Sequence, residues 1–417
     1  MTPIANFERH ILSNGLRVLV HRDADSPFAT VNTAYRVGSR DERPERTGFA
    51  HLFEHLMFEG TPEVPDFDRV VYAAGGEDNA FTSSDYTDYY ITVPAAQTPT
   101  ALRLEADRMR HLTLTEEVFD TERQVVIEEY RQRYLGQPYG DARLLLNPLA
   151  YVRHPYRWLP IGMSERHLTE AALADVRSFY DRFYVPDNAV IAVCGSVVPE
   201  EVFAWCETFF GSIPARHDVR EPLTQEPRQT SCRTEEVVRD VPADALYMAF
   251  HTAGRKAPGF YACDMVSDAL DAGKSTLLYR ELIQKKRLFS NIGAAVTATV
   301  DPGLLLVQGV LAEGVSFGEA RAGIRDCLNR LTDHCLSGRE MEKLRNWHES
   351  TFIMNHIPLQ QRAQSLCYHE LFGRAEDLHA EIERYNAVTA EELLDTAREV
   401  CREDNCSILY YRASHNA

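Results

Sequence analysis

Two stretches of this chain occur twice, at nearly the same separation. Ala245-Leu-Tyr-Met-Ala-Phe-His-Thr-Ala-Gly254 resembles the strand-like run that ends at Gly38, and 254 − 38 = 216. Asp404-Asn-Cys-Ser-Ile-Leu-Tyr-Tyr411 resembles Asp187-Asn-Ala-Val-Ile-Ala-Val193, and 404 − 187 = 217. One such match is cheap. Two unrelated landmarks with a common offset indicate an internal duplication. The fold must therefore be one that a chain of 417 residues can build twice. The stretch Pro214 to Ser231, rich in Pro, Arg, Glu, Gln and Thr and poor in apolar residues, reads as the joint. The expected domains are residues 1–215 and 232–417, with 216–231 as the linker.

Local patterns describe a mixed α+β unit. Leu16-Arg-Val-Leu-Val20 follows an Asn-Gly turn, and Ala29 to Tyr35 alternates in the manner of a strand. A helix is expected from Gly48 to Glu59, and another from Pro65-Asp66 to Gly75-Gly76. A strand at Tyr89 to Val93 precedes a helix opened by Thr98-Pro99. A helix over Glu116 to Tyr134, a strand over Asn188 to Cys194 and a helix opened by Pro199 complete the half. This is not regular βαβ alternation.

Charge narrows the possible partners. The net charge is 44 − 62 = −18. Nucleic acid and anionic membranes repel such a surface, so neither is an expected partner. No run approaches the ~18 apolar residues of a membrane span, and the N-terminal run Met1 to Arg9 has no apolar signal core. Nine cysteines without a Cys-x-x-Cys pair suggest reduced thiols. The expected location is cytoplasmic.

The chemistry gathers at His51-Leu-Phe-Glu-His55. At ~100° per residue, two histidines four apart lie on one helix face and can reach a single metal ion. Glu54 stands beside them and can take a proton from a metal-bound water, whose pKa zinc lowers towards ~7. The spacing is the inverse of the commoner His-Glu-x-x-His motif. Phe49, Ala50, Leu52, Phe53, Leu56, Met57 and Phe58 make this helix apolar nearly all round, hence buried. Three polar groups on it would be costly to desolvate unless paired or metal-bound. A third ligand must come from elsewhere. Phe119, Glu122, Val126 and Glu129 are spaced by 3, 4 and 3 and share one helix face. Glu129 as ligand, braced by Glu122, accounts for carboxylates on a partly apolar face. Spacing alone leaves that face equally readable as the acidic flank of an amphipathic helix.

Together these motifs resemble the pitrilysin, insulinase and mitochondrial processing peptidase family. The resemblance rests on His51-Leu-Phe-Glu-His55, the Glu122 and Glu129 pair (129 − 55 = 74), the Asn14-Gly-Leu-Arg-Val18 opening, Asp78-Asn-Ala-Phe-Thr82 and the Asp187-Asn188 strand. It covers nearly the whole chain. It implies two homologous domains, each a mostly antiparallel sheet packed with helices, forming a half-shell of a peptidase chamber. It implies one Zn²⁺ per chain on His51, His55 and Glu129, with Glu54 as general base and Glu122 in support. It also implies that Asn79, Ala80 and Phe81 form an edge strand that holds the peptide as a further strand. On the residues alone, that stretch also reads as a polar loop.

The second half departs from the first. At an offset of 216, His51, Glu54 and His55 fall on Ser267, Leu270 and Asp271, and Glu129 falls on Arg345. The second half is therefore expected to hold no metal site, resembling the family's degenerate second domain. Many members carry an Arg and a Tyr in a stretch like Lys285-Lys-Arg-Leu-Phe-Ser-Asn-Ile-Gly293. Here Lys286 stands for the Arg, and Gly293 or Ala294 for the Tyr. A homologous metal-free partner subunit supplying the Arg/Tyr pair is therefore expected, giving a heterodimer, with a homodimer as the alternative. The resemblance points to a zinc metalloendopeptidase acting on unfolded or short peptides. Its rival is a non-catalytic core-like subunit of a larger complex, but such subunits typically lose part of the motif that is complete here.

Overall fold

A computed structural model describes residues 6–217, 220 and 222–416. Residues 1–5 of the N-terminal run and residues 218, 219 and 221 of the expected linker lie outside this set. Residues 222–230 form neither helix nor strand. Two compact units result, each assembled from three segments. The first comprises Met1–Tyr130, Trp158–Pro222 and Ile353–Ala380; the second comprises Arg131–Arg157, Leu223–Phe352 and Glu381–Ala417.

The first unit holds a six-stranded sheet. Its order is β1 (Glu8–Ile11), β2 (Arg17–Arg22), β6 (Ala189–Gly195), β3 (Phe28–Tyr35), β5 (Thr87–Pro94) and β4 (Glu77–Thr82). All neighbours are antiparallel except β2 and β6. Its helices are α1 (Phe49–Leu56), α2 (Phe67–Ala73), α3 (Thr98–Arg110), α4 (Glu116–Tyr130), α6 (Glu165–Thr169), α7 (Leu173–Phe183), α8 (Pro199–Phe210) and α12 (Leu359–Phe372). The second unit holds β7 (Arg233–Arg239), β11 (Cys406–Ala413), β8 (Ala245–His251), β10 (Leu304–Leu311) and β9 (Phe289–Val296), in that order. Only β7 and β11 are parallel. Its helices are α5 (Ala142–Ala150), α9 (Phe260–Asp271), α10 (Phe317–Asp333), α11 (Gly338–Asn355), α13 (Glu381–Ala387) and α14 (Ala390–Val400).

The duplication is visible strand by strand. The starts of β3 and β8, β5 and β10, and β6 and β11 differ by 245 − 28, 304 − 87 and 406 − 189, each 217. The spatial order of the second sheet repeats that of the first with β1 omitted. The architecture is α+β with mostly antiparallel sheets, as the sequence indicates.

The central strands are buried on both faces, so their residues alternate between two layers of cover. In β8, Leu246, Met248 and Phe250 join the core with α9, α10 and α14. Ala245, Tyr247 and Ala249 instead pack with Ala142, Leu146 and Ala150 of α5. In the first unit, Cys367 of α12 lies at 3.5 Å from the carbonyls of Asn32 and Val190. Each sheet is thus covered on one face by a helix from the other half of the chain. α5 and α12 are themselves counterparts, since 359 − 142 = 217.

The exchanged α12 is tied to its sheet by a buried acid. Asp88 accepts from Asn32 Nδ2 at 2.8 Å and from Gln364 Nε2 at 3.1 Å. Burial pushes its carboxyl up to about 7, against those two donors. The folded protein therefore holds this proton more tightly than the unfolded chain does. The sign follows: wild type loses stability relative to Asp88→Asn as pH rises from about 4 to about 7, by a few kcal/mol at most. Denaturation of both proteins across that range checks this; a constant difference would contradict it.

Two helix ends differ from the sequence expectation. α1 stops at Leu56 rather than Glu59, because the chain turns tightly at Gly60, whose φ is 81°. α4 ends as an α-helix at Tyr130 and continues as a wider π turn over Arg131–Leu135. Among the described residues, no helix is long and apolar enough to cross a membrane.

Candidate metal centre

α1 begins at Gly48, which takes a left-handed conformation with φ 95°. A Cβ there would meet the Ile161 carbonyl oxygen at 2.9 Å, so a side chain is excluded on two grounds. A glycine brings no acceptor for the open N–H groups of the first turn. Glu42 provides one: its Oε2 accepts from Gly48 N at 3.0 Å and its Oε1 from Ala50 N at 2.8 Å. Burial pushes the Glu42 carboxyl up to about 8 against these backbone donors. Sequence reading did not single out Glu42; its only signal was an acid upstream of a helix lacking a Ser, Thr, Asp or Asn cap. Glu42→Ala leaves buried donors unmade and should cost about 1–3 kcal/mol. Chemical denaturation measures it, and a change below a few tenths of a kcal/mol would remove Glu42 from this role.

Phe49, Ala50, Leu52, Phe53 and Leu56 are buried and fix the rotation of α1. His51, Glu54 and His55 occupy the remaining, partly exposed face. Opposite them, Phe119, Val126 and Ile127 anchor α4, and its line of carboxylates faces the histidines. Glu129 Oε2 lies 3.6 Å from His51 Nε2 and 3.4 Å from His55 Nε2. Glu122 Oε2 lies 3.3 Å from the other His55 nitrogen, Nδ1. The structure thus brings together all five residues that the sequence singled out on these two helices.

Electrostatics follow from this packing. At His55, burial alone would lower the imidazole pKa, but hydrogen bonds to Glu122 and Glu129 outweigh it and push it up to about 9. Burial raises the Glu54 carboxyl, opposed by hydrogen bonds from the Thr82 side chain and backbone and by the charge of His55. Glu59 is raised by burial and by its neighbour Glu122. Thr82 and Glu59 are further residues of the site that the motif did not reveal. Both contacts depend on the approach of separate chain segments.

Thr82 ends β4, an edge strand of the sheet. Asn79 is exposed on it, while Ala80 and Phe81 are partly buried. The Phe81 ring meets Tyr86 edge-on at 5.4 Å, and Asn79 Oδ1 accepts from Ala80 N at 2.8 Å. The stretch is a strand, not a polar loop.

The donor set suits zinc. His51, His55 and Glu129 offer ligand atoms within 4.8 Å of one another. Donors at ~2.05 Å on a tetrahedral ion sit about 3.3 Å apart, close to the 3.6 and 3.4 Å from Glu129 to the two imidazoles. Two imidazoles and one carboxylate form a common catalytic zinc set with a fourth position open. Glu122 on the far nitrogen of His55 is the usual brace for such a ligand.

Comparison with known proteins places the chain. The family described as Insulinase (Peptidase family M16) matches residues 17–137, and Peptidase M16 inactive domain matches residues 171–346. A Helicobacter pylori protein named zinc protease PqqE is 33% identical over 354 residues, 82% of this chain and 79% of that one. The chain belongs to peptidase family M16. A Bacillus subtilis protein named uncharacterized zinc protease YmxG is 25% identical over 406 residues, 95% of this chain and 96% of its own length. The crystal structure of a protease from Helicobacter pylori superposes with a TM-score of 0.93, covering 98% of this chain and 99% of that one at 28% identity. The matched M16 segment contains α1, β4 and α4 whole, so every site residue named above falls inside it.

In the second unit, Lys286 is engaged by Asp326 at 2.6 Å. Gly293 lies in β9, where a Cβ would sit 2.9 Å from Asp271 Oδ2. Asp271 also accepts from Ala294 N at 3.2 Å. A side chain at Gly293 would require the Asp271 carboxylate to turn aside.

Proposed function

We propose that this chain is a zinc metalloendopeptidase acting on unfolded or short peptides in an enclosed chamber. The observation carrying this reading is the convergence of His51, His55 and Glu129 on one point with Glu54 alongside. Zinc at that point would acidify a water and polarise the scissile carbonyl. His51 and His55 would hold it through their imidazoles, with Glu129 as the anionic ligand. Glu122 fixes the His55 ring through Nδ1. Glu54, its carboxyl raised by burial, accepts the proton of the attacking water and delivers it to the leaving amine. Asn79, Ala80 and Phe81 present the free edge of β4, along which a peptide pairs as an added strand. The filled set of four argues against a non-catalytic core-like subunit. Metal analysis and peptide digestion, wild type beside Glu54→Gln, test the reading.

The partner follows from what the second half does not carry. Lys286 is not a planar fork, and Gly293 and Ala294 have no hydroxyl. A homologous metal-free subunit supplying an Arg/Tyr pair would complete a cytoplasmic heterodimer. The purified chain alone should therefore turn over peptides poorly, with activity rising on addition of that subunit. Size exclusion with activity measurement decides; full activity as a monomer or homodimer removes the partner.

A further inference from the structure

We propose that the second unit carries a cation site of its own, formed by Asp264, Asp268 and His348 and taking a divalent first-row metal ion. Asp264 and Asp268 lie four apart on α9, and His348 comes from α11. Their ligand atoms all lie within 4.8 Å of one another. In the duplicated plan α9 matches α1 and α11 matches α4. At the 217 offset Asp268 stands where His51 does, since 268 − 217 = 51. This set does not repeat the His/Glu letters of the first unit: its donors are two carboxylates and one imidazole.

An independent observation lies in His348 itself. Its imidazole is about nine-tenths buried, and Nε2 has no hydrogen-bond partner. Yet Asp268 Oδ2 is only 2.8 Å away. At that length a missed hydrogen bond is angular: the two atoms stand side by side instead of pointing at each other. Two donors turned towards a common third point have this relation. The surroundings brace both. Tyr385 donates to Asp264 Oδ2 at 2.5 Å, and its ring stacks on the His348 imidazole at 3.8 Å. Arg255, the nearby cation, pairs with Glu381. Carboxylates with one imidazole suit Mn²⁺ or Zn²⁺. Bonds near 2.1 Å require Asp268 to swing back by about half an ångström.

The test uses the full chain, freed of metal and equilibrated with Zn²⁺ or Mn²⁺. Wild type should bind two ions, and His51→Ala/His55→Ala one. Adding Asp268→Asn or, separately, Asp264→Asn to that double variant should abolish the remaining ion, with circular dichroism unchanged. Loading the double variant should also raise its Tm, because the ion binds only the folded state. One ion in both wild type and the double variant would sink the zinc assignment at His51 and leave this site standing. A double variant that binds neither ion and shows no Tm shift would overturn the proposal.

Discussion

Glu54→Gln should bind zinc as wild type does and lose peptide hydrolysis by about 10³-fold, within the 10²–10⁴ that a positioned general base contributes. The two properties separate because Glu54 is not among the three converging donors. His51, His55 and Glu129, at 3.6 and 3.4 Å from carboxylate to imidazoles, should keep those separations when Glu54 becomes an amide. Glutamine preserves the volume and can still bond Thr82, so α1 should not shift. What it cannot do is accept a proton. A deficit in kcat with KM nearly unchanged is the expected signature. Undiminished cleavage would refute the assigned base. Lost zinc would instead mean that Glu54 helps hold the metal.

Arg108→Ala should destabilise the first unit by about 3–5 kcal/mol. Arg108 is fully buried on α3 beside Glu105, which is also fully buried. Its Nε donates to Glu105 Oε2 at 3.2 Å, and its Nη2 makes a second, shorter bond to Oε1. The guanidinium lies 4.5 Å from the Tyr89 ring centroid and 4.8 Å from that of Phe67. Removing it opens a cavity and leaves a carboxylate in an apolar interior with no cation. The double change Glu105→Gln/Arg108→Met removes both charges and should recover much of the loss. Urea denaturation of the three proteins measures this; a single variant within 1 kcal/mol of wild type would show that the pair contributes nothing net. Tyr89 also reaches the Phe53 carbonyl of α1 at 3.4 Å, so the same cluster supports the helix bearing the histidines.

The site was legible because its spacing is a helical property. A step of four from His51 to His55 and of seven from Glu122 to Glu129 puts side chains on one face in any α-helix. The apolar flanks of both runs then dictated burial. Glu42, Glu59 and Thr82 were not legible, because each acts through a contact between segments distant in sequence or differently folded. The carboxylate set at Asp264 and Asp268 was hidden for another reason: a duplicated scaffold preserves backbone positions while its donors change.

The sequence by itself determined that one α+β plan is used twice, and that the two helices of the first copy bear the zinc-type residues. Both conclusions rest on periodicity and offset, which a chain carries in one dimension. Tertiary structure alone decided that α5 and α12 exchange sheets. Local pattern assigns neither helix to one half rather than the other, since the halves are copies. Which sheet a helix covers depends on chain path and on specific partners such as Gln364 with Asp88, and neither is written in the hydrophobic period.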